Sequence, residues 1–116
     1  MAKLEKRSFD TADERRTPSN AEIVTVKLGD RAVMRVTYFP GFRWSTDMKS
    51  IAGTDICQAY HLGYVISGRC RVAMEDGSET DLGPGDAVSI PAGHDAWVLG
   101  DEPFVILDFA GALKQG

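Results

Sequence analysis

Hydrophobic and polar residues alternate with a period of two in residues 69–74 and 79–82, the spacing of a half-buried β-strand, whereas residues 104–109 form an almost continuous apolar run typical of a buried strand. The clearest β-branched run is Ile23-Val24-Thr25-Val26, and Gly29-Asp30 follows it as a turn. No segment carries a sustained helical period, and residues 47–54 are predicted to form a loop. We predict strands over residues 23–28, 32–39, 57–67, 69–74, 79–82, 86–90, 96–99 and 104–109, with 43–45 as one further short strand.

Turn signals separate these strands at the short, regular intervals that are typical of all-β sandwiches and barrels. Asp76-Gly77 lies between two predicted strands and predicts a hairpin with a two-residue type I′ turn. Gly63 predicts a bend or break within residues 57–67. The lack of a long amphipathic helix excludes an α/β layer fold. Periodicity alone leaves two all-β folds open, the jelly roll and the immunoglobulin-like sandwich.

The first twenty residues are polar and charged, unlike the alternating pattern that follows them. We predict that residues 1–20 form an arm that is mobile or lies across a partner subunit, with one short helical turn around residues 11–16. Residues 21–116 then form a single domain, because 116 residues supply enough chain for one hydrophobic core.

Charge, hydrophobicity and missing motifs argue against several classes of function. The net charge of −4 argues against a general nucleic-acid surface, and no apolar run approaches the roughly 20 residues of a membrane helix. The charged first ten residues do not resemble a secretory signal, so we expect a cytoplasmic protein with Cys57 and Cys70 as thiols. Neither a Gly-x-Ser-x-Gly elbow nor a glycine-rich phosphate loop opening a helix is present.

Two spaced motifs carry a resemblance to a known family. Gly85 is followed after five residues by Pro91-Ala92-Gly93, and His61 is followed after six residues by Gly68. These spacings resemble the two sequence motifs of the cupin superfamily of small β-barrels, over residues 34–109. The resemblance implies an all-β fold, a single-domain cupin jelly-roll barrel with a ligand site at its mouth.

The resemblance also implies where metal ligands would stand. His61 occupies the position where the family usually has Glu, and Asp55 and Cys57 occupy the positions of its His-x-His pair. Ala96 stands at the usual last His, but His94 is an even step away on the same strand and shares its face. We therefore predict a divalent-metal site formed by Cys57, His61 and His94, with zinc as the first choice and iron or manganese as the second.

Pocket residues are predicted around these ligands. Asp55 is expected to offer a carboxylate, and Trp44 and Trp97 are expected to form an apolar wall. Other interpretations remain open at this point. Both histidines fit structural, hydrogen-bonded roles, Cys57 fits a small buried hydrophobe, and the aromatic residues fit the barrel core or a dimer interface.

The functional prediction is a cupin-domain protein that binds a small molecule in the barrel mouth, with or without a divalent metal. The alternative is a metal-dependent cupin enzyme of the dioxygenase or isomerase type. We further expect a homodimer, with residues 22–28 contributing to its interface because exposed edge strands gain from being covered. Neither nucleic acid nor a membrane is an expected partner.

Overall fold

A computed structural model describes residues 3–110 of the chain. Nine strands fall within this range: β1 Glu14–Arg16, β2 Ala21–Leu28, β3 Arg31–Tyr38, β4 His61–Ser67, β5 Arg69–Met74, β6 Glu79–Leu82, β7 Ala87–Ile90, β8 His94–Leu99 and β9 Phe104–Asp108. Two four-residue helices, α1 Trp44–Asp47 and α2 Lys49–Ala52, lie between β3 and β4. No helix within residues 3–110 is long and apolar enough to cross a membrane.

The strands form two antiparallel sheets, which confirms the predicted all-β jelly-roll architecture. The larger sheet has the order β1-β2-β3-β9-β4-β7, and the smaller sheet has the order β6-β5-β8. Strand alternation turns one face of each sheet toward the other, and the side chains on those faces form the core. The buried members of this core are Val36, Val65, Cys70, Val72, Leu82, Ala96, Phe104 and Ile106.

A second apolar cluster lies beside α1. It contains Phe42, Trp44 and Cys57, each at most 6% exposed. Arg43 lies between Phe42 and Trp44 and forms an isolated β-bridge with Trp97. Trp44 is the first residue of α1. The prediction of a strand at residues 43–45 and a loop at 47–54 is therefore wrong for this segment. Helices of four residues are too short to leave a 3.6-residue period in the sequence.

The N-terminal segment packs on its own chain in this structure. β1 pairs with β2, with Arg15 opposite Val24, and Phe9–Thr11 forms a 3-10 turn. The carboxylate of Asp13 accepts a hydrogen bond of 2.8 Å from the backbone N–H of Lys27. The predicted helical turn at residues 11–16 is wrong, since much of this stretch is strand. An arm that moves or crosses to a partner remains a prediction.

The β5–β6 hairpin differs from the predicted two-residue turn. Met74 and Ser78 close the loop through a 2.9 Å backbone bond, and the N–H of Gly77 donates to the Met74 carbonyl at 3.0 Å. Only Gly77, at φ +90°, has positive φ in the loop, whereas a type I′ turn requires two such residues. The connection is thus a three-residue loop, a type I turn followed by a left-handed glycine.

Gly63 does not interrupt β4, contrary to the predicted bend or break. β4 runs through it and pairs on both sides, with Val88 of β7 and with Asp108 of β9. A Cβ atom at this position would lie 2.7 Å from the carbonyl oxygen of Leu107. The glycine therefore allows the neighbouring strand to approach closely, which is one of the roles glycine has inside strands. The irregularity in β4 comes later, as a register shift between Val65 and Ser67.

Candidate metal centre

The fold brings the predicted ligands to one end of the barrel. His61 is the first residue of β4, and His94 is the first residue of β8. Cys57 lies in the preceding loop and forms an isolated bridge with His94, in which the Cys57 N–H donates to the His94 carbonyl at 2.8 Å. The position of each ligand is thus fixed by backbone pairing rather than by the side chain alone.

The three donor atoms converge on one point. The candidate ligand atoms of Cys57, His61 and His94 all lie within 4.8 Å of one another. Cys57 Sγ is 3.5 Å from His61 Nε2, and the two imidazole rings lie 5.2 Å apart at an interplanar angle of 72°. Cys57 and His94 are buried and His61 is partly buried, so the site is largely shielded from bulk water.

The far nitrogen of each imidazole is held by the protein. His61 Nδ1 lies 2.7 Å from Asp108 Oδ2, and His94 Nδ1 lies 2.7 Å from the carbonyl oxygen of Pro91. A carbonyl only accepts hydrogen bonds, so His94 Nδ1 must carry the proton that it donates. In a neutral His94 ring, Nε2 is then left with a free lone pair. Metal-binding histidines are oriented in this manner, with the second nitrogen donating to a carboxylate or a carbonyl.

The Cys57–His61 pair has shifted pKa values. Burial raises the pKa of the Cys57 thiol, but hydrogen bonds from His61 and His94 outweigh burial and lower it to about 6. Burial lowers the pKa of His61, yet the hydrogen bond to Asp108 and the contact with Cys57 raise it to about 9. At neutral pH, a Cys57 thiolate therefore stands beside a His61 imidazolium. The thiolate is the metal-binding form of cysteine.

A small cavity of about 40 Å³ lies beside the two histidines, which form part of its lining. Trp44, one of the residues expected around the ligands, lines this cavity, and so does Tyr38. The Tyr38 ring is stacked on Phe42 at a centroid distance of 4.0 Å, and burial raises the pKa of its phenol well above the ordinary value. Because one water molecule occupies about 30 Å³ in the liquid, this cavity by itself has room for about one water.

Two of the predicted pocket residues lie elsewhere. Asp55 is 84% exposed and pairs with Lys49 at 3.1 Å, away from the cavity. Trp97 lies on the outer face of β8, where the Arg43 guanidinium stands 4.2 Å from the centre of its ring. Trp97 is three residues from His94, and an odd step along a strand reverses the face. Of the two tryptophans expected to form the wall, Trp44 lines the cavity and Trp97 does not, and Tyr38, which was not predicted, lines it as well.

Sequence reasoning missed Asp108 and Tyr38. Asp108 is 3% exposed and ends β9, otherwise an apolar strand, and a lone acid at the end of such a strand was the available signal. It reaches His61 because Gly63 of β4 pairs with it, which brings the two strand ends together. Tyr38 carried no distinguishing signal, since the aromatic residues had no pattern that separated the cavity from the core.

Comparison with known proteins finds a matching domain family and solved structures with a similar fold. The "Cupin domain" family matches residues 58–110, which is just under half of the chain. No curated protein matches the sequence. A structure of unknown function from Rhizobium leguminosarum bv. viciae 3841 is similar, with a TM-score of 0.66 and 23% identity. That alignment covers 92% of this chain and 95% of the other.

Two named enzymes share the fold at lower identity. Oxalate decarboxylase of Lactobacillus farciminis, in complex with formate, gives a TM-score of 0.63 at 18% identity. The alignment covers 93% of this chain but only 33% of the decarboxylase. The polyketide cyclase RemF of Streptomyces resistomycificus gives 0.64 at 16% identity, covering 91% and 78%. At such identities the likeness concerns the fold alone. Residues 58–110 of this chain thus match the cupin domain, and the two named enzymes share its double-sheet fold.

Proposed function

We propose that this protein is a metal-binding cupin in which Cys57, His61 and His94 hold a divalent ion and a small molecule binds at that site. The observation that carries the proposal is the convergence of the three donor atoms within 4.8 Å. The hydrogen bonds of Asp108 and Pro91 add to it, because they hold the Nδ1 atom of each imidazole and leave Nε2 for the metal.

The donor set fits zinc. With Zn–S bonds of about 2.3 Å and Zn–N bonds of about 2.0–2.1 Å, two ligand atoms at tetrahedral angles lie roughly 3.5 Å apart. Cys57 Sγ and His61 Nε2 are separated by 3.5 Å. Thiolate with imidazole is a set that suits zinc, whereas iron and manganese more often take imidazole and carboxylate. Zinc is accordingly the first choice, and iron or manganese is the second.

Three protein ligands would leave one coordination position for another group. Held by these three residues, the metal would supply a Lewis acid. A small molecule that occupies the open position would be oriented by the metal, and one of its oxygen atoms would be polarised. The chain's own residues contribute the low-pKa thiol, the held imidazoles and an apolar wall around them. These features support ligand binding or sensing as the first functional candidate.

A metal-dependent enzyme of the dioxygenase or isomerase type is the second candidate. Catalytic zinc sites typically have three protein ligands and an open position, whereas structural sites are closed by four. The Cys57, His61 and His94 group has the three-ligand composition. Two proteins that share the fold are enzymes by name, an oxalate decarboxylase and a polyketide cyclase, which adds support to this candidate.

The proposal includes a homodimer in the cytoplasm. Both cysteines of the chain are free thiols, as expected in a reducing compartment. Exposed apolar side chains on the outer face of β4, Tyr64 at 46% and Ile66 at 44%, offer a surface for a second copy.

Metal analysis of the untagged protein, purified without chelators, tests the function directly. We expect about one divalent ion per chain and tight zinc binding by calorimetry. His61→Ala should abolish binding, His94→Ala should weaken it strongly, and Cys57→Ser should shift the preference away from zinc because the thiolate is the softer ligand. Cys70→Ser is the matched control, because Cys70 lies in the barrel core. Metal-free protein with no tight site for zinc, iron, manganese or nickel would contradict the proposal.

The pH dependence of zinc binding follows from the shifted pKa values. Between pH 6 and 9 Cys57 is already a thiolate, while His61 must lose a proton before it binds the metal. Zinc affinity should therefore rise with pH up to about 9, and about one proton should be released per zinc ion at pH 7.5. Calorimetry in buffers of different ionisation enthalpy measures this number. A release of zero protons would show that His61 is not a ligand.

A further inference from the structure

An open groove runs between β6 and β7, each of which is an edge strand of its own sheet. Its volume is about 320 Å³, at the lower end of the range for pockets that hold small organic ligands. Ten residues line it, and none of them is charged, although 26% of the chain is Asp, Glu, Lys or Arg. Ser78, Thr80 and Ser89 supply hydroxyl groups, and the remaining lining side chains are apolar.

The groove and the metal cavity share a wall. Val72, Leu82 and Ile90 line both spaces. Ile90 is also paired with His61 across β4 and β7, so this end of the groove lies beside a proposed ligand. These three aliphatic side chains therefore lie between the groove and the cavity that His61 and His94 line.

We propose that this groove seats the organic ligand of the metal site, and that the ligand is uncharged and mostly apolar. This inference rests on the proposed metal function. A charged group in the groove would lose its hydration without gaining a partner of opposite sign. Hydroxyl groups such as that of Thr80 offer hydrogen bonds that suit an uncharged polar group. The ligand would therefore have an apolar body that lies along β6 and β7 and one metal-binding end that reaches past Ile90 toward the candidate metal site.

A homologous pair of zinc-binding probes tests the groove. Acetohydroxamic and octanohydroxamic acid are uncharged in solution, bind zinc through the same head group and differ by six methylenes. Each methylene that is buried should tighten binding about fourfold, so the longer probe should bind zinc-loaded protein at least about 100-fold more tightly. Equal affinities of the two probes, measured by calorimetry, would overturn the groove proposal.

Two tryptophan substitutions on the same strand provide the matched variants. Thr80 is paired with the buried Val72 and lines the groove, while Glu79 is its neighbour on the outer face of β6. Thr80→Trp should fill the groove and remove the chain-length advantage, whereas Glu79→Trp should keep it. An advantage that survives in folded Thr80→Trp protein, or that is lost equally in both variants, would contradict the assignment.

A probe without a metal-binding group separates the two proposals. In metal-free protein, 1-octanol should shift the amide NMR signals of Thr80, Val88 and Ser89 and leave those of α2 unchanged. Octanesulfonate, which has the same chain but a charged head group, should shift neither set of signals. If zinc fails to bind, the metal function falls while the octanol shifts still decide the groove. If zinc binds but octanol shifts no groove signals, or octanesulfonate shifts them equally, the groove proposal falls while the metal function stands.

Discussion

At the scale of single residues, Cys57 and Cys70 are two thiols in opposite chemical states. Hydrogen bonds from two imidazoles lower the pKa of Cys57 to about 6, despite its burial. Burial dominates at Cys70, which is 1% exposed, and raises its pKa to about 12. One cysteine is therefore ionised at neutral pH, while the other remains a neutral thiol in the core.

This contrast predicts selective alkylation. Iodoacetamide should modify Cys57 and spare Cys70 in the metal-free native protein, and the modification rate should reach half its plateau near pH 6. Added zinc should protect Cys57, because coordination to the metal lowers the nucleophilicity of the thiolate. Mass spectrometry of tryptic peptides measures both sites. Cys70 labelled as fast as Cys57 would show that the thiol environment is different.

Asp108 is expected to tune His61 rather than bind the metal. Asp108→Asn keeps the shape and leaves an oxygen that accepts from Nδ1, but removes the charge that raises the His61 pKa. A lost carboxylate partner typically weakens a metal site by about 10–100-fold. At pH 7 the variant also has less of its His61 protonated, which offsets part of this loss.

The expected signature is a pH-dependent deficit in zinc affinity. The affinity of Asp108→Asn relative to the native protein should be lower at pH 9 than at pH 7, as measured against a competing chelator. An NMR titration of the metal-free variant should also show a lower His61 pKa. A deficit of the same size at both pH values would mean that Asp108 acts through packing alone.

The sequence reached His61, His94 and Cys57 but not the groups that hold them. The three candidate ligands stand in or near spaced motifs, and the motif spacing predicted that they would converge. Asp108 meets His61 only through the register of β4 with β9, a pairing between strands far apart in sequence. Trp97 was expected in the pocket because it is close to His94 in sequence. Its face of β8 is set instead by its separation of three residues from His94, and an odd separation along a strand places two side chains on opposite faces.

At the scale of elements, the β5–β6 hairpin shows how one glycine fixes a turn. Gly77 has φ +90°, and a Cβ atom there would meet nothing within 4 Å. Any penalty for substitution is therefore a backbone penalty, free of steric clashes with the rest of the protein. Asp-Gly suits both the type I′ turn and the three-residue loop that the structure contains, so the dipeptide predicted the hairpin but not its length.

Replacement of Gly77 by valine is expected to destabilise the fold by about 1–2 kcal/mol, because a β-branched residue is strained at positive φ. Replacement by asparagine, which tolerates the left-handed region, should cost clearly less. Urea denaturation of the two variants measures the difference in free energy of unfolding. Equal stability of both variants and the native protein would show that Gly77 does not hold this conformation in solution.

Strands were easier to predict than the connections between them. The alternation of residues 69–74 predicted β5 with its observed bounds. A half-buried strand has one apolar and one polar face, so its residues alternate along the sequence. The helices from Trp44 to Ala52 left no such record, since one turn of helix has no repeat to detect. Their position follows from tertiary contacts, including the Ser45 N–H bond to Asp95 at 2.9 Å.

At the scale of the whole molecule, the structure limits how residues 22–28 join a dimer interface. β2 is paired on both edges, by β1 and β3, and Val24, Thr25 and Val26 are buried within the protomer. Lys27 stays exposed along this strand, with its Nζ 3.8 Å from Glu14 Oε1, so a partner would meet this ion pair rather than the buried side chains. The outer face of β4, with Tyr64 and Ile66, offers a more apolar surface.

Light scattering at micromolar concentration should give a mass of twice 12.6 kDa. If residues 22–28 contribute to the interface, Lys27→Glu should weaken the dimer. If the face of β4 is the interface instead, Tyr64→Lys should weaken it, because a charge would enter a buried apolar contact. A monomer mass for the unmodified chain would reject the dimer itself.

The place of β9 in the larger sheet has a consequence for how the chain reaches its structure. Phe104–Asp108 lies between β3 and β4, so it joins strands that are far earlier in sequence. Until this segment has been synthesised, β3 and β4 each carry an open edge, and His61 lacks its carboxylate partner. Pairings of such long range close slowly, on a scale of roughly milliseconds to seconds. An unfinished barrel is thus open to strand exchange with its neighbours, and its candidate metal centre is incomplete until the sheet has formed.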